Sequence, residues 1–146
     1  MPIVGFSYKK IEIGRSDLKA GGQISTSLNI KKIEQEKLPI GNSEDVVNFN
    51  FEFKIKYGDL GDALFLGSVL YMENPERVKE IVSSWTDKKQ VIPEVMTEVF
   101  NFILFKVNIL GLELEQEMNL PPHIKLPRVK PEQMNQKNNS EIHEAS

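Results

Sequence analysis

The stretch PEVMTEVFNFILFKVNILGLELEQEM, residues 93–118, decides how this chain folds. Ile92, Val95, Met96, Val99, Ile103, Val107, Leu110 and Leu114 recur at about 100° per residue, which lines them along one side of a helix. Phe102, Phe105, Ile109 and Leu112 form a second stripe, at spacings of three, four and three, on the side that should face solvent. One sheet covers one side only, so a helix oily on two sides needs a second partner. Left in water, each of the four would forgo roughly 1.5–3 kcal/mol relative to burial. Either the first helix or the carboxy-terminal segment covers them within the chain, or another chain does. The helix reads from about Pro93 to about Met118; Glu113, Glu115 and Glu117 crowd its far end, where the helix dipole disfavours negative charge, which leaves an earlier stop near Gly111 as the alternative.

Upstream, Val47, Phe49, Phe51, Phe53, Ile55 and Tyr57 alternate with Asn48, Asn50, Glu52, Lys54 and Lys56, so this strand has one aromatic and one polar face. Gly58-Asp59-Leu60-Gly61 is a turn, and Ala63 to Met72 returns as a strand with apolar residues on both faces, closing a hairpin over residues 46–72. Ile3 to Ile13 reads as a first strand ending at Gly14, and Ile24, Thr26, Leu28 and Ile30 as a second one after Gly21-Gly22. Asn74-Pro75 supplies a cap and a first-turn proline for a short helix carrying Val78, Ile81, Val82 and Trp85. Beyond the long helix, Leu120 to Val129 contains three prolines, cannot be helical, and should strap the domain with Leu120, Ile124, Leu126 and Val129 as anchors. From Lys130 onward only Met134 and Ile142 are sizeable apolar residues, too few to offset the entropy of ordering, so residues 130–146 read as a disordered polar tail behind a single domain of residues 1–129.

The 146 residues suit one domain with an ordinary core. A formal charge of −3 with scattered basic residues argues against nucleic acid as partner. The absence of cysteine removes disulfides, thiolate catalysis and Cys-based zinc sites, and suits the cytoplasm. No amino-terminal h-region and no unbroken apolar run of membrane length is present, so no membrane partner is expected, and Asn138-Asn139-Ser140 would matter only on a secreted protein.

Chemistry is sparse. The histidines are His123 in the strap and His143 in the tail, and one imidazole makes neither a triad nor a zinc site. Asp59 and Asp62 flank turn glycines, where Asp commonly bonds its own backbone. Gly58 and Gly61 match no phosphate-binding motif, and the turn leads into a strand rather than a helix. The row Phe49, Phe51 and Phe53 has its cations on the opposite face, so it reads as core rather than a base-stacking platform, and Trp85 as a core-edge residue. No enzyme, cofactor or metal is expected.

The order of strands followed by helices, with Val91-Ile92-Pro93-Glu94 opening the long helix and Met118-Asn119-Leu120-Pro121-Pro122 closing it, resembles the SecB export-chaperone family over residues 3–129. The segment Leu120 to Val129 is also similar to the Leu-Pro-Pro-x-Ile-x-Leu-Pro-x-Val ending of small uncharacterised archaeal proteins. The first resemblance implies an antiparallel sheet of about four strands with helices on one side, assembly into dimers or tetramers, and ATP-independent holding of unfolded polypeptide in apolar grooves.

The expected fold is therefore α+β, an antiparallel sheet of about four strands with two helices packed on one face. The expected function is a homo-oligomeric, holdase-type polypeptide-binding protein, its binding or subunit surface formed by Phe102, Phe105, Ile109, Leu112, Ile124 and Leu126. The alternative is a structural or adaptor module that docks one folded partner.

Overall fold

The computed structural model describes residues 3–16, 21–36 and 45–131. It runs β1 (Ile3–Arg15), β2 (Ile24–Glu36), β3 (Asp45–Tyr57), β4 (Gly61–Glu73), α1 (Pro75–Lys88) and α2 (Pro93–Met118). The four strands form one antiparallel sheet in the order β1-β4-β3-β2, and both helices pack on one of its faces, an α+β architecture. The expected tail lies outside the described residues from residue 132 onward.

Alternation on β3 fixes which face is inside. Val47, Phe49, Phe51, Phe53, Ile55 and Tyr57 are each no more than 2% exposed. Their partners on β4 include Val69 for Phe49, Gly67 for Phe51, Phe65 for Phe53 and Ala63 for Ile55. Val78 and Ile81 of α1 and Val95, Val99, Ile103 and Val107 of α2 close this core. Among the described residues no helix covers the opposite face, where Leu64, Leu66, Leu70 and Met72 are half-buried beside Asn48, Asn50 and Glu52. The apolar residues on the outer side of β4 are thus only half-covered, although β3, equally central in the sheet, is polar on that face.

The edge strands run on past their clean alternation because the register shifts within them, twice in β1, at Ile3/Gly5 and Tyr8/Lys10, and once in β2. Phe6 and Tyr8 pair with Val69 and Gly67, the register shifts between Tyr8 and Lys10, and Ile11 and Ile13 then pair with Phe65 and Ala63 on the same face. The matching shift on β2 lies between Ile30 and Lys32 and carries Ile33 back inside, 6% exposed. An extra residue changes the phase of a strand, so a three-residue spacing between apolar residues marks each irregularity.

Close backbone approach demands glycine at Gly58 and Gly67, among other positions. A Cβ on Gly58, whose φ is +59°, would sit 1.8 Å from the Gly21 carbonyl oxygen, which accepts the Asp59 amide at 2.8 Å. A Cβ on Gly67 would sit 2.5 Å from the Ser7 carbonyl oxygen and 2.7 Å from the Phe51 ring. The ring of Phe51 therefore fills the space beside this glycine and stacks on Phe6 with centroids 5.6 Å apart.

Tyr8 joins this aromatic group, 5.0 Å from Phe6, but its hydroxyl is buried with no hydrogen-bond partner among the described residues. Burial pushes its pKa up to about 12. A phenol whose folded pKa lies above the unfolded value contributes stability that is complete below about pH 10 and lost as pH rises through the folded pKa. Tyr8→Phe removes the unpaired hydroxyl, so it is expected to leave stability at neutral pH unchanged or raised by about 1 kcal/mol. It should also lessen the loss between about pH 9 and about pH 11, read from urea midpoints at both.

α1 starts as its sequence dictates, with the Asn74 side chain accepting the Arg77 amide at 2.9 Å and Pro75 in the first turn. Trp85 sits at the core edge with the Lys89 ammonium 5.0 Å from its ring centroid. α2 does not stop near Gly111. It continues to Met118 and ends at Asn119 in the left-handed region, with the Leu120 amide donating to the Glu115 carbonyl at 2.8 Å. By length and composition alone α2 could cross a membrane, yet its row Val95, Val99, Ile103 and Val107 is packed on the sheet.

Candidate functional site

The outer side of α2 carries the most exposed large apolar side chains of the described strands and helices. Phe105 is 63% and Ile109 48% exposed. Leu112 is half-buried, and Phe102 is sheltered within the chain by Phe6 of β1, with ring centroids 5.7 Å apart. The Lys106 ammonium caps that pair, 5.7 Å from the Phe102 centroid and 5.9 Å from that of Phe6. Of the four residues in the outer stripe, the chain thus covers one with its own first strand and leaves two in water. The sequence gives no hint of the Phe6 contact, because it joins residues far apart in the chain.

The strap after α2 is attached differently from the sequence expectation. Of its proposed anchors only Leu120 is buried, at 6% exposed, whereas Ile124, Leu126 and Val129 are 37%, 48% and 42% exposed. Three prolines keep the segment out of a helix, it bends at His123 and Ile124, and a non-helical chain lying against a helix can turn only part of its side chains inward. Ile124 and Leu126 therefore add to the apolar surface instead of closing it. Large exposed apolar patches mark interaction sites.

His123 is the strap residue that enters the body, its side chain only 1% exposed. Its Nδ1 lies 2.7 Å from Glu115 Oε2, its backbone amide donates to Glu115 Oε1 at 3.3 Å, and its Nε2 lies 2.8 Å from Asn108 Oδ1. The Tyr57 hydroxyl donates to Glu115 Oε2, the oxygen that also faces His123 Nδ1. Glu115 is 1% exposed and owes its place inside to these donors, since a buried carboxylate without them would be strongly disfavoured. Burial first, then the bond to Glu115 and its charge, hold the Tyr57 phenol well above its usual pKa. The Asn108 side chain carries both an acceptor oxygen and a donor NH₂, so it can pair with Nε2 in either role.

α2 builds this seat with one row. Val95, Val99, Ile103, Val107, Gly111 and Glu115 are its buried residues, spaced by four. Steps of four turn about 40° round a helix of 3.6 residues per turn, so the row begins over the sheet and ends beneath the strap. Gly111 leaves the gap that the imidazole fills: a Cβ there would lie 2.9 Å from His123 Cε1. Sequence reading misses Gly111 and Glu115, although the unbroken spacing of four from Val95 is the signal that would have found them.

The other sequence candidates do not converge on a site. Asp59 and Asp62 are exposed, the first in the turn and the second on the outer sheet face. Among the described residues no group of three or more His, Asp or Glu side chains could hold a metal ion.

No protein-family profile and no curated protein matches the chain. Among solved structures it is similar to a SecB-like chaperone of Mycobacterium tuberculosis, in complex there with a peptide from an antitoxin. The TM-score is 0.47 at 14% identity, covering 88% of this chain and 89% of the other.

Proposed function

We propose that this protein binds polypeptide without ATP, as a homo-oligomeric holdase, through the outer side of α2 and the exposed residues of the strap. The observation that carries this reading is the exposure of Phe105 and Ile109, at 63% and 48%, on a helix whose other side is packed on the sheet. Phe105, Ile109, Ile124 and Leu126 offer apolar contact to an extended segment of client, and the half-buried Phe102 and Leu112 border it. No covalent step is required, and no cofactor.

Phe105→Asp combined with Ile109→Asp tests the reading. Both side chains point to solvent, so each change is expected to alter stability by less than about 0.5 kcal/mol. Loss of two apolar anchors should weaken binding at least about tenfold. The checks are suppression of light scattering by an aggregating test protein and affinity for fluorescein-labelled, reduced and carboxymethylated lactalbumin. Unaltered affinity in the folded double mutant would exclude this surface. Molar mass by light scattering shows whether the same residues also join subunits, and capture of one folded partner with no response to unfolded chains would favour an adaptor role.

A further inference from the structure

Past Leu120 the strap turns its apolar side chains outward and one imidazole inward. Apolar packing therefore does not explain why it lies on α2. We propose that His123 is the positioning residue of the strap: seated against Gly111 and held by Glu115 and Asn108, it keeps Ile124 and Leu126 in the polypeptide-binding surface. This rests on the function proposed above and adds the element that shapes the site.

The arrangement fits that role in three respects. Two ring nitrogens and the backbone amide of one strap residue are each engaged by α2, which fixes orientation as well as position. Tyr57 ties the Glu115 carboxylate to β3, so the seat is braced from the sheet. Asn108 also adjoins the open stripe. Phe105 lies three residues before it and Leu112 four after it, both neighbours on the helix surface, with Ile109 next in sequence. The clamp and the apolar surface are thus two sides of one stretch of helix. His123 touches no client in this scheme; it acts through the strap.

His123→Ala is the test, in the full chain. Trypsin cleavage after Lys125 reads freedom of the strap, and anisotropy of the labelled lactalbumin reads binding. We expect cleavage to speed up at least about tenfold and affinity to fall about tenfold, the size of a lost charge-assisted hydrogen bond. Free imidazole should restore both in His123→Ala and change neither in the unsubstituted protein, a response that general loosening of the fold would not give. Asn108→Ala removes only the Nε2 partner and should shift both readouts in the same direction by about threefold. It decides the matter should His123→Ala fail to fold. Unchanged cleavage in the folded variant overturns the proposal. So does a freed strap with full affinity where Phe105→Asp with Ile109→Asp has lost it, and that result leaves the polypeptide-binding reading standing. Absence of binding by the unsubstituted protein instead removes the function, and the proposal with it.

Discussion

Glu115→Ala is expected to destabilise the protein by about 3–5 kcal/mol, the range for removing one partner of a buried polar pair. The carboxylate accepts from the Tyr57 hydroxyl, from His123 Nδ1 and from the His123 backbone amide. Alanine strands all three donors where water does not reach, and each unsatisfied buried group costs about 1–3 kcal/mol. Glu115→Gln keeps the volume and one acceptor oxygen, but turns an NH₂ toward groups that are themselves donors, so it should recover only part of the loss. Urea denaturation followed by far-ultraviolet dichroism measures both. A cost below about 1 kcal/mol for the alanine variant would mean that Glu115 does not hold this end of α2 against the strap.

Phe51→Ala is expected to cost a similar amount, about 3–5 kcal/mol, by opening a cavity at the centre of the sheet. The ring is 1% exposed, stacks on Phe6 and lies over Gly67. Gly67→Ala should be destabilising on its own by about 1–3 kcal/mol, because its Cβ meets both that ring and the Ser7 carbonyl oxygen. In the Phe51→Ala background the ring is gone and only the backbone clash remains. The two changes should therefore cost less together than the sum, with a coupling of about 0.5–3 kcal/mol in a double-mutant cycle. Strict additivity would show that Phe51 and Gly67 do not share this space.

Most of the fold was legible because its strands and helices obey two simple periods. The alternation from Val47 to Tyr57 assigned one face to the core without ambiguity, and Asn74-Pro75 and Pro93 marked both helix starts. The end of α2 at Met118 follows from its apolar periodicity, but three glutamates at a helix terminus look solvated and leave an earlier stop near Gly111 open, whereas Glu115 alone turns inward to donors supplied by Tyr57 and His123. Those donors come from β3 and from beyond the helix, so no local pattern announces them. The strap was misread for a related reason: between prolines no period says which side chains face inward, and a polar residue took the place assigned to the apolar ones. Of the candidate surface, the exposure of Phe105 and Ile109 followed from the helical projection, and the shelter of Phe102 depended on where β1 crosses it.

The strand order carries a consequence for synthesis. β1 pairs only with β4, and β2 only with β3. A growing chain emerges amino terminus first, so both edge strands leave the ribosome before either has a neighbour to bond. The hairpin of β3 and β4, local in sequence, is the natural nucleus, and the older segments must be recruited to its two flanks afterwards. Lys9, Lys10, Lys31, Lys32 and Glu34 place charge along those waiting segments, and charge of this kind opposes adhesion between unpaired strands.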